Sequence, residues 1–441
     1  MGKRFLMIIL CTALLMIIFL VGCQDNLAGQ ALKCTPKTCA SLNKTCGSWS
    51  NGCGKNLTCG TCQTGYQCTS GSCVPIAPST LKDYWQGKAT LKPAFTIPEG
   101  KPGWPTGFGA AAQVVVVGQT WYLFTRHVDW NYSGPCPGRM TLAVSKSTDS
   151  GQSWTTPVDI LANTPGSPQE CAATDGGAYY QSSTNTWHIL YQCLSPGSAW
   201  KGCHATRAGS DPIGPFTPDP KNPVIESGAL WSKICDIATD KCKSEATGWV
   251  GKVIDEGTFD IFYYDGKYYW ISFHGYDGKN GFRGIAKTTD FRTYIAGNAT
   301  KGVPTDAILN PSDAIPWNVT WNGLPIGFGA SRMIKEGSYW YQIAEAADIN
   351  LGSVGTDVRQ TWADGIFRST SLASTSWAQP TSFRNPIFYT DESLRATDLA
   401  AASAGYVGIF RDQTGKIYIH YSRIGYFPQD SGIFFFTLEP N

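Results

Sequence analysis

The chain has 441 residues, enough for one large domain and a small companion. Only 15 % of its residues are charged, 13 % are aromatic and 48 are glycine, the profile of a turn-rich β protein and not of a helical bundle. The net charge of +2 is spread without runs, which excludes the basic stripe of a nucleic-acid binder.

Lys3 and Arg4 head an uncharged stretch, Phe5 to Gly22, that runs into Leu20-Val21-Gly22-Cys23. This resembles the lipobox of secreted prokaryotic lipoproteins, in which the cysteine is lipidated and becomes the new N-terminus. The resemblance implies a signal peptide over 1–23, a lipid anchor on Cys23, and a place at the cell surface or in the periplasm. A plain signal peptide or an uncleaved anchor helix accounts for the same stretch. All three readings export the remainder, and residues 24–33 read as a polar tether.

Apart from Cys11 and Cys23, fourteen cysteines remain, an even number that reads as disulfides in an exported chain. Eight crowd into 34–73 with almost no aliphatic residues between them. That module cannot build a core, so bridges must hold it, in a pairing that spacing leaves open. Cys59-Gly-Thr-Cys62 could serve as half a zinc site, but export argues for disulfides. Residues 74–84 read as a linker. Cys136 and Cys171, Cys193 and Cys203, and Cys235 and Cys242 are the expected pairs of the main domain, each bracing loops.

From residue 85 onward one grammar repeats. Pro105-Thr-Gly-Phe-Gly109 returns as Pro325-Ile-Gly-Phe-Gly329, and Val144-Ser-Lys-Ser-Thr-Asp149 as Ile285-Ala-Lys-Thr-Thr-Asp290. Second strands align at Trp121-Tyr122, Trp187-His188, Tyr268-Tyr269, Tyr339-Trp340 and Ile417-Tyr418. Five copies of a short meander without helical spacers predict an all-β fold, a five-bladed β-propeller over 85–441, with a small N-terminal disulfide-rich module before it. The strand from about Tyr84 to Thr96 is expected to complete the last blade.

In such blades the head of the first strand and the end of the second share one face. Those slots collect Asp175, Asp255, Glu256, Asp260, Arg332 and Asp398 from first strands. From second strands they collect Arg126, His127, Asp129, His274 and Glu345. Ser147-Thr-Asp149-Ser-Gly151-Gln-Ser-Trp154 matches the Asp box of sialidases and other propellers, and reads as a turn brace on the far face. No metal-ligand spacing of the strong kind occurs.

Asp255-Glu256-Gly-Thr-Phe-Asp260, followed by Tyr263-Tyr-Asp-Gly-Lys-Tyr-Tyr-Trp270, resembles the acidic strand and hairpin of the five-bladed glycoside hydrolases. That superfamily includes arabinanases, β-xylosidases, invertase-like enzymes and anhydrogalactosidases. The resemblance implies Glu256 as general acid. Among the strand-head acids, Asp175 is the choice for base or nucleophile, and Asp398 or Asp260 for the partner that tunes the acid's pKa. Asp175 and Asp398 read equally as caps of inner strands or ligands of a structural cation in the channel. Asp255, His127, His274, Arg332, Arg126, Asp129 and Glu345 would then hold substrate. Glu256 as a plain hydrogen-bonding brace of a blade junction is the competing structural reading. The family's acid at the first strand head of blade 1 is missing, since Gly107-Phe-Gly-Ala-Ala111 stands there.

The function expected is therefore exported glycoside hydrolysis by a monomer acting on a carbohydrate. No organic cofactor and no nucleic acid are implied, and a structural Ca2+ in the propeller channel is compatible with the reading. A non-catalytic glycan-binding surface lipoprotein is the first alternative. A sialidase-like or polysaccharide-lyase propeller, with arginines around a substrate carboxylate, is the second.

Overall fold

The computed structural model describes residues 34–63, 66–75, 77–129, 131–136, 138–231, 235–242, 255–276, 280–297, 307–317, 319, 321, 326–348, 361–391, 403–424 and 432–441. Cys23 and Asp398 lie outside them, as do the side chains of Asp255, Cys235 and Cys242. The chain divides into two compact units, Met1–Ala77 and Pro78–Asn441. No described helix is long and apolar enough to cross a membrane.

In the first unit two small hairpins, Ser48–Ser50 with Asn56–Thr58 and Tyr66–Thr69 with Ser72–Pro75, are held by four disulfides. These join Cys34 to Cys53, Cys39 to Cys59, Cys46 to Cys68 and Cys62 to Cys73. Cys59 and Cys62 therefore bond to different partners, so their CxxC spacing does not make half of a zinc site. Each closed loop restricts the unfolded chain by about 3 kcal/mol, which stands in for the missing core.

The second unit is a β-propeller. Its strand pairing resolves into five four-stranded antiparallel meanders. Sheet 1 is Ala110–Val117, Thr120–Asp129, Arg139–Ser147 and Val158–Asp159. Sheet 2 is Ala172–Gln181, Thr186–Leu194, Lys201–Ala208 and Thr217–Pro218, touching sheet 1 through one parallel bridge, Ala172 to Met140. Sheet 3 is Asp255–Tyr264, Tyr269–Tyr276, Gly281–Thr288 and Tyr294–Ala296. Sheet 4 is Ile326–Glu336, Tyr339–Asp348, Thr361–Ser369 and Phe388–Asp391. Sheet 5 is Ser403–Arg411, Ile417–Ile424 and Gly432–Pro440, completed on its outer edge by Ala89–Pro98 from the start of the unit.

The inner strands touch in sequence around a ring, and the fifth returns to the first. Apolar residues follow the same order. One buried cluster fills each junction, from Tyr122, Trp187 and Tyr191 between sheets 1 and 2 to Ile97, Trp121 and Phe435 between sheets 5 and 1. Alternation of side chains across each strand gives every sheet two apolar faces, one for each neighbour. The pairing of Ala89–Pro98 with Gly432–Pro440 closes the ring through backbone hydrogen bonds.

The closing strand begins later than the sequence suggested. Leu81–Trp85 is a short helix instead, because Thr80 and Asp83 form a capping box at its start. Its Leu81, Tyr84 and Trp85 are buried against Tyr341 and Ile366 of sheet 4. The hairpin turn in sheet 3 behaves as expected: Asp265 Oδ1 accepts from Lys267 N and Tyr268 N at 2.8 and 2.7 Å, and Gly266 takes φ +98°.

The Asp box also closes a turn. Asp149 accepts from Ser147 Oγ at 2.7 Å and from Ser153 N at 2.9 Å, and Trp154 Nε1 donates to Gly151 O. Disulfides join Cys136 to Cys171 and Cys193 to Cys203, two of the three pairs suggested for this unit. For the third, Cys235 and Cys242 are backbone partners across a two-residue ladder, and their side chains lie outside the described residues. The six disulfides among the described residues suit an oxidising compartment.

Candidate active site

Each inner strand carries the same irregularity near its head. The register slips between Ala110 and Gln113, Thr174 and Gly177, Gly257 and Asp260, Phe328 and Ser331, and Gly405 and Gly408. Each slip is a β-bulge, two residues facing one on the second strand, which re-aims side chains. Ala111, Asp175, Thr258 and Tyr406 take positive φ there, at 53, 47, 38 and 54°. Four non-glycine residues in this sparsely populated region, at equivalent positions of one ring, are the form that strain takes at a functional site.

These bulges line one small pocket, walled by Ala111, Ala112, Asp175, Thr258, Ala330, Arg332, Tyr406 and Val407. Asp175 pairs with Arg126, and the Arg126 Nε also donates to Thr174 Oγ1 at 2.9 Å. Arg126 Nη2 donates to Tyr406 Oη at 2.8 Å, and its guanidinium lies 4.9 Å from the Tyr406 ring centre. Burial works against the Arg126 charge, but Asp175 and Tyr406 outweigh it, so its pKa is raised. Burial likewise raises the Tyr406 phenol.

Glu345 stands on the other side of Tyr406. Its carboxylate accepts from Ala330 N at 2.7 Å and from Tyr406 N, spanning the bulges of sheets 4 and 5. Burial raises its pKa, opposed by those two amides and reinforced by the charge of Asp175. Gly329 is needed here, because a Cβ would sit 2.2 Å from Glu345 Oε1. Tyr406 thus joins the two carboxyl groups, through its backbone to Glu345 and through its hydroxyl and Arg126 to Asp175.

Beneath the pocket lies a buried cationic layer. Arg283 donates to Thr258 Oγ1 at 2.6 Å, Gly329 O at 2.8 Å and Ser272 Oγ at 2.5 Å, and burial lowers its pKa to about 9. Asp260 pairs with Arg332 at 3.4 Å, and Arg332 also donates to Gly176 O. Burial raises the Asp260 pKa against the pull of Arg332 and Arg283. Thr258 Oγ1 lies 2.6 Å from Nδ1 of the buried His274.

The expected residues therefore separate. Asp175, Arg126, Arg332, His274 and Glu345 come together around Tyr406. Asp260 lies among them but inside the wall. Glu256 does not join them: it is buried in the junction with the segment before sheet 3, and its Oε1 accepts from Leu230 N at 3.0 Å and Trp231 N at 3.1 Å. His127 and Asp129 line a different, larger cavity on sheet 1. Tyr406, Thr258 and Arg283 were not anticipated. The bulge tetrads Thr174-Asp-Gly-Gly177, Gly257-Thr-Phe-Asp260 and Gly405-Tyr-Val-Gly408 have no residue common to all three at any one position, so no sequence signal marks the first two.

No protein-family model matches the chain, and no curated protein matches it. Among solved structures, a thermostable family-43 glycoside hydrolase superposes with a TM-score of 0.50 at 14% identity, over 79% of this protein and 92% of that one. A BT0996–RGII complex gives 0.52 at 14% identity, over 82% and 95%. A further glycoside hydrolase gives 0.51 at 14% identity, over 81% and 95%. At that identity the likeness is one of fold, and the site must speak for the chemistry.

Proposed function

We propose that this protein is an exported glycoside hydrolase with its reacting groups around the axial pocket, each of the five meanders forming one blade. The observation that carries the reading is the convergence of Asp175 and Glu345 on Tyr406. Glycoside hydrolysis needs one carboxyl group that arrives protonated and a second that does not. Glu345, whose pKa burial raises, is assigned as the general acid that protonates the leaving oxygen. Asp175, ion-paired to Arg126, is assigned as the base that activates water or as the nucleophile at the anomeric carbon. Arg332, His274 and Tyr406 would hold sugar hydroxyls, with Asp260 keeping Arg332 in place.

The fold shared with a family-43 glycoside hydrolase supports this reading. Disulfides and the Leu20-Val21-Gly22-Cys23 sequence support export with a lipid anchor. Glu256 is assigned a bracing role, because its buried carboxylate accepts from Leu230 N and Trp231 N in the junction before sheet 3 and not beside Tyr406. A glycan-binding protein without catalysis is the second reading, favoured by Ala111 at the slot where sheet 2 carries Asp175. A sialidase-like or lyase function has less support, because Arg126 and Arg332 each already face a carboxylate of the chain.

The test is incubation of residues 24–441 with plant, algal and microbial glycans, products being separated by chromatography. Wild type and Glu256→Gln should release sugar, whereas Asp175→Asn and Glu345→Gln should each lose about a hundredfold or more. Sugar release surviving both of these substitutions would keep the hydrolase and remove the site. Binding without any release would establish the second reading.

A further inference from the structure

A cavity larger than the axial pocket lies apart from it, on sheet 1. It measures about 410 Å³, and its lining residues share none with the pocket around Tyr406. Two cross-strand pairs make its floor, His127 beside Thr141 and Asp129 beside Arg139. The segment from Asp159 to Asn163 and Pro215 form its sides. Arg126 and His127 are consecutive on one strand, so they point to opposite faces: Arg126 serves the axial pocket and His127 this one.

We propose that this cavity is a second ligand site, one that binds a neutral sugar unit. Its polar groups are held in place before any ligand arrives. The His127 ring stacks on Phe108 at 4.0 Å and 11°, and its Nδ1 lies 2.8 and 3.0 Å from the two oxygens of Asp159. The Arg139 guanidinium lies 4.5 Å from the Tyr132 ring centre. Its Nε is buried and has no hydrogen-bond partner among the described residues. Preorganisation of this kind lowers the ordering cost of binding.

The charge pattern selects the ligand. Donors on Arg139 and acceptors on Asp129 and Asp159 converge on one space. A carboxylate or sulfate entering it would meet two carboxylates, and an organic cation would meet the guanidinium. A pair of neighbouring hydroxyls satisfies both, giving protons to the carboxylates and accepting from the guanidinium N–H groups. Ile160, Leu161 and Pro215 offer an apolar wall for the C–H face of a ring. The volume falls within the range of small-molecule sites, about 300–1,000 Å³. The choice of a sugar among neutral polyols rests on the hydrolase reading; the existence of the site does not.

The experiment is saturation-transfer NMR and titration calorimetry on residues 24–441. The probes are the methyl glycosides of arabinose, xylose, galactose and glucose, with glucuronate and galacturonate beside them. At least one neutral glycoside should bind saturably, about tenfold or more tighter than either uronate. Arg139→Ala and Asp159→Ala should each weaken it about tenfold. Arg139→Gln, which keeps the stem and removes the charge, and Asp159→Asn, which keeps shape, should weaken it with an unchanged melting temperature. Asp175→Asn should leave it intact, which separates this site from the axial one. Absence of binding by every neutral glycoside would overturn the proposal, as would binding indifferent to both cavity substitutions. A chain that binds here yet hydrolyses nothing would refute the axial chemistry and leave this site standing.

Discussion

Asp364→Asn should stabilise the propeller at neutral pH and leave it almost unchanged near pH 4. Asp364 sits on the third strand of sheet 4, directly opposite Glu345, and is fully buried. Neither of its oxygens has a hydrogen-bond partner among the described residues. Burial first, and the neighbouring Glu345 second, raise its pKa well above the ordinary 3.8. The fold therefore keeps a proton that the unfolded chain releases. Stability from this group is full below the unfolded value and is lost as pH rises toward the folded one.

The loss is about 1.4 kcal/mol for each pH unit over which the fold retains the proton, so two such units amount to about 3 kcal/mol. Asparagine has the shape of the protonated acid and no proton to lose, and its unpaired amide costs about what the unpaired acid costs. Urea titrations of both proteins from pH 4 to pH 8 would measure the difference from the midpoints at constant slope. A variant less stable than wild type by the same amount at every pH would refute the reasoning, since it would mean that Asp364 is held as a paired anion.

The same linkage acts in the opposite direction on the acid side. Burial lowers His188 to about 4 and His204 and His420 to about 3, so each stays neutral in the fold. Their stability is complete above about pH 6.5 and drains as pH falls toward the folded values, by up to about 1.4 kcal/mol per unit for each histidine; His420→Phe should flatten that limb in pH-jump unfolding, and an unchanged slope would speak against it. Gly329→Ala places a Cβ 2.2 Å from Glu345 Oε1 and should impair turnover far more than melting temperature. Replacing Cys136 and Cys171 by serine opens a loop of 35 residues and should cost about 2–4 kcal/mol, read by calorimetry.

The fold was legible because it is written five times. Period-two strands, glycine turns and aromatic second strands repeat at nearly even spacing, and each copy corrects errors in reading the others. The closing strand was legible in kind but not in bounds, because the capping box of Thr80 and Asp83 turns the first residues into a helix. The site was harder to read. A β-bulge shifts side-chain direction by one residue, and that shift moves Glu256 into a junction and brings Thr258 to the pocket. Tyr406 escapes a search for ionisable groups at strand heads, and Arg283 escapes because a third strand is normally far from the axis. Its long side chain crosses to the bulges of sheets 3 and 4 all the same.

General-acid catalysis by Glu345 leaves a distinctive kinetic mark. An acid matters most when the leaving oxygen is basic and little when it departs unaided. The decisive measurement is kcat/KM of Glu345→Gln against wild type on two substrates of the sugar identified by the glycan survey: its natural glycoside and its dinitrophenyl glycoside. The assignment predicts a loss of about a hundredfold or more on the first and only a few-fold on the second. Equal losses on both substrates, or no loss on either, would contradict it.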